Sequence, residues 1–303
     1  MKINHPLVSI IMPVYNAGDY LVEAIRSILK QTYDNFELII VNDASSDKSL
    51  KIIRKYKKLY PQKIKLINLK RNLNRGGDAC ANLGFAKAKG KFIARMDADD
   101  VAHPERIEKQ VDYLLANPDV LMVGSHAAII NKKGEIIGEK RVPLTHDEIY
   151  KNYFITHPMI HPSIMINKKN LPKRDRLYTI KYDANNDYLT FFEFLKYGRF
   201  ANIDEKLINY RLHGKNDSLT HVKSRFINSL KIRWVAFSKY GYEPTAKAML
   251  ALIGQIFVVF LLPEKLSILI YMIVRGIYKP ESILKFNFIP AFSRIKRYAL
   301  SLL

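Results

Sequence analysis

An acidic tetrapeptide, Asp97-Ala98-Asp99-Asp100, follows directly on the apolar run at residues 92–96. A short apolar run of this kind predicts a buried strand, so the three carboxylates should emerge together where that strand ends. Crowded carboxylates repel one another, and their oxygens are the ligands that Mg²⁺ and Mn²⁺ prefer. The pattern therefore predicts a divalent metal that would hold phosphate oxygens, with Asp99 and either Asp97 or Asp100 as ligands. The alternative is an acidic turn that caps a helix starting at Pro104.

The composition of the chain limits the classes of protein that fit. Its 303 residues suffice for two domains, or for one large domain with an appendage. The formal net charge of +21 and the pI near 9.8 indicate a polyanionic partner, which could be nucleic acid, anionic lipid or a phosphorylated substrate. The single cysteine, Cys80, excludes an intramolecular disulfide framework and suits a reducing compartment.

Strand-like and helix-like segments alternate over the first 120 residues. Apolar runs predict four strands, at residues 8–12, 36–41, 64–69 and 92–96, and each run is followed by apolar residues at helical spacing. This alternation predicts a doubly wound, mostly parallel α/β sheet with helices on both faces. In such a sheet, ligands bind beyond the carboxyl ends of the strands.

Each of the four predicted strands ends in polar or conformationally special residues, and together these predict one site at that edge. The first strand is followed by only one glycine, Gly18, and no G-x-x-x-x-G-K-[ST] motif occurs anywhere in the chain. A bound nucleotide diphosphate would therefore be neutralised by a metal and by side chains rather than by a glycine-rich loop. This reasoning favours the metal interpretation of residues 97–100.

Three segments of the first half, in this order, resemble family-2 glycosyltransferases, which have the GT-A fold. They are Val8-Ser9-Ile10-Ile11-Met12-Pro13-Val14-Tyr15-Asn16, then Phe36-Glu37-Leu38-Ile39-Ile40-Val41-Asn42-Asp43-Ala44-Ser45-Ser46-Asp47, then Asp97-Ala98-Asp99-Asp100 with Pro104. The resemblance extends over about the first 220 residues and implies an inverting enzyme that uses a nucleotide-diphosphate sugar.

The resemblance also implies which residues bind the donor nucleotide. Asp43 matches the acid that contacts uracil in the family, although Asn42 and Ala44 replace the usual Asp and Gly beside it. The full set of expected donor-binding residues is Pro13, Val14, Tyr15, Asn16, Asp43, Arg75, Asp97, Ala98 and Asp99. Asp78 and Cys80 are unusual in the segment that follows Arg75.

The family carries an acidic pair before a helix, and the second acid of that pair is its general base. Asn186-Asp187 matches this pair with Asn in the first position, which implies Asp187 as the catalytic base. Asp183 is the rival candidate, and an Asp at a helix start could also serve only as a cap. His157 and His161 precede this segment and are expected to pack rather than to act.

A later segment, Tyr210-Arg211-Leu212-His213, matches a family motif that meets the metal or the diphosphate. The resemblance implies Arg211, His213 and Ser218 as a lid over the diphosphate, and His213 as a further metal ligand beside the acids at residues 97–100. Between these motifs, residues 120–130 and 135–142 flank Asn131-Lys132-Lys133-Gly134, which predicts a hairpin beside the main sheet, on the acceptor side.

The C-terminal part of the chain differs in character from the catalytic part. We place a GT-A catalytic domain at residues 1–220 and a basic, apolar, helical tail at residues 221–303. From residue 223 onward the chain has 13 Lys and Arg against 3 Asp and Glu, and its apolar stretches, at residues 249–262 and 266–278, are shorter than a membrane span. This pattern predicts that the tail lies on an anionic membrane surface. One alternative is a helical subdomain packed on the catalytic domain. Another is a helical hairpin that enters one leaflet of the membrane and turns at Pro263-Glu264-Lys265.

Together with these patterns, the resemblance implies an inverting glycosyltransferase that uses Mn²⁺ or Mg²⁺. It would move a sugar, expected to come from a UDP-sugar, to a hydroxyl of a glycan or a lipid-linked acceptor in cell-surface polysaccharide or glycolipid synthesis. We expect it on the cytoplasmic side of the membrane, with no nucleic-acid partner. A sugar nucleotidyltransferase is the first alternative, although it would need a glycine-rich loop near the N-terminus. A basic nucleic-acid-binding protein is the second.

Overall fold

The computed structural model describes residues 5–213, 222–263, 266, 267 and 270, and these residues form one mixed sheet with helices on both faces. The strands are β1 (Val8–Val14), β2 (Phe36–Asn42), β3 (Ile64–Asn68), β4 (Phe92–Arg95), β5 (Val101–Ala102), β6 (Val120–Ile130), β7 (Ile136–Lys140), β8 (Met165–Asn167) and β9 (Arg199–Arg211). The helices are α1 (Leu21–Leu29), α2 (Ser49–Leu59), α3 (Gly76–Phe85), α4 (Arg106–Ala116), α5 (His146–Tyr153), α6 (Asn186–Phe194), α7 (Val222–Tyr240) and α8 (Ala246–Leu261).

The strand order is β3-β2-β1-β4-β8-β6-β9-β5. The first four strands of this order are parallel, as the alternation of apolar runs and helical segments predicts. β8 then runs antiparallel to both β4 and β6, while β9 runs parallel to β6 and antiparallel to β5. Most paired residues are therefore in parallel ladders, and the short antiparallel insertions bring distant parts of the chain to one edge.

The predicted hairpin exists, since β7 pairs antiparallel with the end of β6. Its expected position beside the main sheet is wrong for β6, which lies inside the sheet between β8 and β9. All eleven residues of β6 are buried, because helices cover both of its faces and strands flank both of its edges. A strand in this position has an apolar sequence that cannot be distinguished from that of a buried hairpin strand.

Two hydrophobic clusters lie on opposite faces of the sheet. Alternate residues of β1 belong to different clusters: Ile10 packs with α1, α2 and α4, and Ile11 packs with α3, α5, α6 and α7. We call these the first cluster and the second cluster. The alternation follows from the strand geometry, in which neighbouring side chains point to opposite faces.

The described part of the tail packs on the second cluster. Ile232 and Ala236 of α7, Tyr242 of the connecting loop and Ala248 of α8 are all buried there. Gln255 of α8 also donates a hydrogen bond to the carbonyl oxygen of Ile155 (2.7 Å). These contacts agree with the alternative of a packed helical subdomain, and the domain boundary at residue 220 stays a prediction. No helix among the described residues is long and apolar enough to cross a bilayer.

Candidate active site

The acidic turn, which we define as residues 97–100, lies between β4 and β5 at the carboxyl edge of the parallel strands. Ala98 is buried in the first cluster and anchors the turn. β5 pairs with β9 through Val101 and Asn209, and this pairing brings the end of β9 to the turn. As a result, His213 Nε2 lies 2.9 Å from Asp99 Oδ2, although the two residues are 114 positions apart in the chain.

Arg211 fixes the acidic turn through both its backbone and its side chain. Its backbone N–H donates to Asp100 Oδ1 (2.8 Å), and its guanidinium donates to the carbonyl oxygen of Asp99 (2.8 Å) and pairs with Glu23 of α1. The Arg211 side chain is only 1 % exposed and lies over the ring of Tyr20. These contacts position the turn, whereas the expected contact between Arg211 and a diphosphate stays a prediction. Ser218, the third expected lid residue, lies outside the described residues.

The four expected metal ligands are not equivalent in the structure. Asp99 and His213 contact each other, whereas Asp97 is held by Arg95 and Asp100 is buried. Among the residues that the structure describes, Asp100 Oδ2 has no hydrogen-bond partner. Burial together with the charges of Asp99 and Asp97 raises the pKa of Asp100 well above its ordinary value.

Within the described ranges, no group of three His, Cys, Asp or Glu side chains is arranged to hold a metal ion. Mn²⁺ and Mg²⁺ in nucleotide sites are commonly held by one or two protein side chains, with phosphate oxygens and water completing the shell. A carboxylate and an imidazole side by side fit such a shell. Asp99 and His213 are therefore the residues that fit a divalent cation.

The expected nucleotide-binding residues line the ends of β1 and β2. Asn16 Oδ1 accepts the Ser46 N–H (2.9 Å), and Asn16 N–H donates to Ser45 Oγ (3.0 Å), so the two loops hold each other. Asp43 Oδ1 accepts the Leu73 N–H (2.9 Å), which ties the end of β2 to the loop before α3. Ala44 has φ of 53°, a left-handed conformation that explains why the family has glycine at this position.

Two other expected donor residues, Tyr15 and Arg75, have exposed side chains, as a binding role needs. Tyr15 is 58 % exposed, whereas Pro13 and Val14, before it, are buried in β1. The Arg75 side chain is exposed and lies 3.8 Å from the almost fully exposed Asp183. Asp183, the rival base, thus has no enclosed environment, and the geometry favours Asp187 as the base.

Arg95 connects the acidic turn to the region around Asp187, and the sequence analysis missed it. Its guanidinium contacts Asp97 Oδ1 (2.9 Å) and lies 3.9 Å from Asp78 Oδ1. Asp78 Oδ2 in turn accepts the backbone N–H of Asp187 (3.1 Å), and Arg95 is only 6 % exposed. The sequence did contain an indication of this role, since Arg95 directly follows the apolar residues of a predicted buried strand. A buried arginine needs acidic partners close to it.

Asp187 lies in the first turn of α6, and four side chains surround it. We call the whole group the base cluster: Asp78, His157, His161, Tyr178 and Asp187. His157 Nε2 lies 3.3 Å from Asp187 Oδ2, and His161 Nδ1 lies 3.6 Å from the same oxygen. The Asp187 side chain is 21 % exposed, so it is enclosed but accessible. The two histidines, which were expected only to pack, contact the expected base directly.

The pKa values of the two carboxyls in the base cluster are shifted in opposite directions. Burial alone would raise the pKa of Asp187, but the neighbouring imidazoles of His157 and His161 hold this pKa below its ordinary value. Burial and the nearby Asp187 charge raise the pKa of Asp78 to about 7. A pair of carboxyls whose pKa values are driven apart is typical of sites where one of them must remain ionised as a base.

Comparisons with known proteins show the family of this chain. Residues 9–174 match the model of glycosyl transferase family 2. An uncharacterized glycosyltransferase of Haemophilus influenzae is 38 % identical over 76 % of this chain and 73 % of its own length. The O-antigen biosynthesis glycosyltransferase WbnJ of Escherichia coli is 36 % identical over 69 % of this chain and 81 % of its own length.

Solved structures show the same fold at low sequence identity. S. aureus TarS 1-349 in complex with UDP-GlcNAc superposes with a TM-score of 0.63 at 19 % identity, covering 85 % of this chain and 77 % of that one. The mannosyltransferase PcManGT of Pyrobaculum calidifontis, in complex with GDP-Man and Mn²⁺, superposes with a TM-score of 0.53 at 15 % identity, covering 92 % and 82 %. Because the family model matches more than half of this chain and the relatives cover most of it, the protein belongs to glycosyl transferase family 2 and is a glycosyltransferase.

Proposed function

We propose that the protein is an inverting glycosyltransferase that moves a sugar from a UDP-sugar to a hydroxyl of a growing cell-surface glycan. The observation that carries the proposal is the position of an enclosed carboxylate, Asp187, beside a donor edge formed by the acidic turn and Asp43. UDP-GlcNAc is bound in the TarS structure, and the Escherichia coli relative is named for O-antigen biosynthesis, which supports both the donor and the acceptor class.

In the proposed reaction, Asp187 takes the proton of the acceptor hydroxyl as its oxygen attacks the anomeric carbon. The new carbon–oxygen bond forms on the face opposite the diphosphate, whose bond to the sugar breaks and whose oxygen keeps the electron pair. A single displacement of this kind inverts the anomeric centre. Asp99 and His213 would hold Mn²⁺ or Mg²⁺, which when bound would neutralise charge on the diphosphate.

The test separates donor binding from chemistry. Asp99→Ala should weaken Mn²⁺-dependent UDP binding in calorimetry, since it removes the carboxylate beside His213. Asp187→Asn should leave that binding unchanged and lower turnover by at least about 10²-fold, because the amide cannot accept the proton. UDP affinity in Asp99→Ala equal to that of wild type, or turnover in Asp187→Asn close to that of wild type, contradicts the respective assignment.

We also propose that the enzyme works on the surface of an anionic membrane on its cytoplasmic side. A continuous apolar stripe on α8 supports this: Met249, Leu250, Ile253, Ile256, Phe257, Phe260 and Leu261 recur at three- and four-residue spacing, and each is at least 38 % exposed. Apolar patches of this size on a soluble surface mark sites of interaction. The sequence beyond this helix carries Arg275, Lys279, Lys285, Arg294, Lys296 and Arg297, which suits anionic headgroups.

Point substitutions test this surface better than truncation, because α7 and α8 contribute buried residues to the second cluster. Leu250→Glu together with Phe257→Glu should release the protein from liposomes containing anionic lipid, while UDP binding is kept. Leu59→Glu is a matched control, since Leu59 is 59 % exposed on α2, outside the stripe. Wild-type protein that does not sediment with the liposomes at low salt, or that forms a dimer through this stripe, would contradict the proposal.

A further inference from the structure

One oxygen of Asp187 faces two imidazoles at once. His157 and His161 both approach Oδ2, at 3.3 Å and 3.6 Å. They come from the segment between α5 and β8, and aromatic rings hold both of them in place: Phe191 packs edge-on against each imidazole, at ring-centroid distances of 5.4 Å and 5.8 Å. Two rings fixed in this way restrict the carboxylate to one orientation.

The tautomer of His161 follows from its partners. Burial lowers the pKa of His161 to about 3, so the ring is neutral and has a single N–H. An ionised carboxylate can only accept hydrogen bonds, so the N–H is placed on Nδ1, toward Asp187. Nε2, which lies 2.7 Å from the Tyr178 hydroxyl, then accepts the Tyr178 O–H. By donating to Nε2, Tyr178 stabilises the tautomer that presents an N–H to the base.

His157 is unusual because both of its ring nitrogens are buried and neither makes a hydrogen bond of ordinary geometry within the described part of the chain. Leaving a buried polar group unpaired costs about 1–3 kcal/mol, and such groups in native structures commonly serve a function. Its Nε2 is nevertheless close to Asp187 Oδ2. Hydrogen bonds in catalytic sites are often long before substrate binds and shorten in the reacting complex.

We propose that His157 and His161 are positioning residues for the base: both direct an N–H at Oδ2 of Asp187, so that Oδ1 takes the proton of the acceptor. This inference rests on the proposed function of Asp187. Asp78 on α3 fixes the backbone of the same residue by accepting its N–H. When the acceptor oxygen bonds to the sugar, its proton passes to Oδ1 and later to solvent.

The charged and titratable groups that surround Asp187 come from four elements and from the loops before α6. They are Asp78 from α3, Arg95 from β4, Tyr153 from α5, the two histidines with Tyr178 from the loops before α6, and Tyr188 from α6 itself. The backbone N–H of Tyr188 also donates to the Asp187 carboxylate, and the two histidines add the side-chain nitrogens that approach Oδ2. Their removal should therefore raise the pKa of the base and move the acidic limb of the rate profile to higher pH.

The experiment compares substitutions that keep or remove the N–H. His157→Leu and His161→Leu should each lower kcat by about 10- to 100-fold, leave the donor KM within about twofold, and shift the acidic limb of kcat upward in pH. His157→Gln and His161→Asn place an amide N–H near the position of Nε2 and Nδ1, respectively, and should restore most of kcat. His126→Leu is the matched control, since it removes a similar His–Asp contact, 2.9 Å to Asp204, on β6.

Tyr178→Phe keeps the shape of the ring and removes only the O–H that stabilises the tautomer of His161. It therefore tests the positioning role of His161 even if a leucine variant does not fold. It should lower kcat about tenfold with the same direction of pH shift. An acidic limb at the wild-type position in Tyr178→Phe and in the folded leucine variants overturns the inference. Asp187→Asn in the same assay distinguishes the proposed function from this inference. Full turnover in Asp187→Asn refutes the role of Asp187 as the base. Lost turnover in Asp187→Asn beside unaffected histidine variants refutes only the positioning role of the histidines.

Discussion

Replacement of Asp78 by asparagine should make the protein progressively more stable than wild type as the pH rises. The Asp78 side chain is 14 % exposed, and burial together with the charge of Asp187 raises its pKa to about 7, from an ordinary value of 3.8. When the folded state has the higher pKa, the unfolded chain loses its proton first, so the free energy of unfolding falls as pH increases toward the folded-state pKa. Asparagine is neutral at every pH and keeps an oxygen that can accept the Asp187 N–H.

The size of the effect follows from the pH interval. The free energy of unfolding of wild type falls by about 1.4 kcal/mol per pH unit between the unfolded-state and folded-state pKa values of Asp78. Wild type therefore loses about 2 kcal/mol of stability relative to Asp78→Asn between about pH 5.5 and pH 7, and little more above pH 7. Urea unfolding followed by circular dichroism at about pH 5.5 and pH 8.5 measures this difference. Asp112→Asn, on an exposed position of α4, is the control. An equal difference between variant and wild type at both pH values would refute the electrostatic description of the base cluster.

Two further substitutions test backbone features of the site. Ala44→Gly should raise the free energy of unfolding by about 0.5–1 kcal/mol, measured by urea titration, because Ala44 has φ of 53° and glycine relieves the left-handed strain; a loss of stability would contradict this. Gly77→Ala should lower kcat by about 10²-fold, since its Cβ would lie 2.6 Å from Arg95 Nη2 and displace the guanidinium. Gly254→Ala, whose Cβ meets nothing within 4 Å, is the control; equal kcat in both variants would refute the role given to Arg95.

The parallel half of the sheet could be predicted from the sequence because each of its strands is a short apolar run that ends in polar residues. The start of α6 could also be predicted, since Asn186-Asp187 matches a family motif at a helix start. The neighbours of β6 could not, because a strand that is buried on both faces and both edges gives no alternation to indicate its partners.

The electrostatics of the site were the least predictable feature. Asp78 was recognised only as a departure from the family pattern, and Arg95 was not recognised at all. Their roles depend on contacts between residues far apart in the chain, such as the 109 positions that separate Asp78 from Asp187. Local sequence patterns contain no information about such pairs. The position of the acidic turn could be predicted because the turn directly follows a strand.

The two halves of the active site are supported by different hydrophobic clusters. Ala98, between the donor-side acids, belongs to the first cluster, whereas Tyr188, next to Asp187, belongs to the second. Changes in packing on one face of the sheet can therefore alter one half of the reaction centre while the other half keeps its geometry. Under the proposed function, mutations on one face of the sheet would alter acceptor preference in evolution without loss of the donor chemistry.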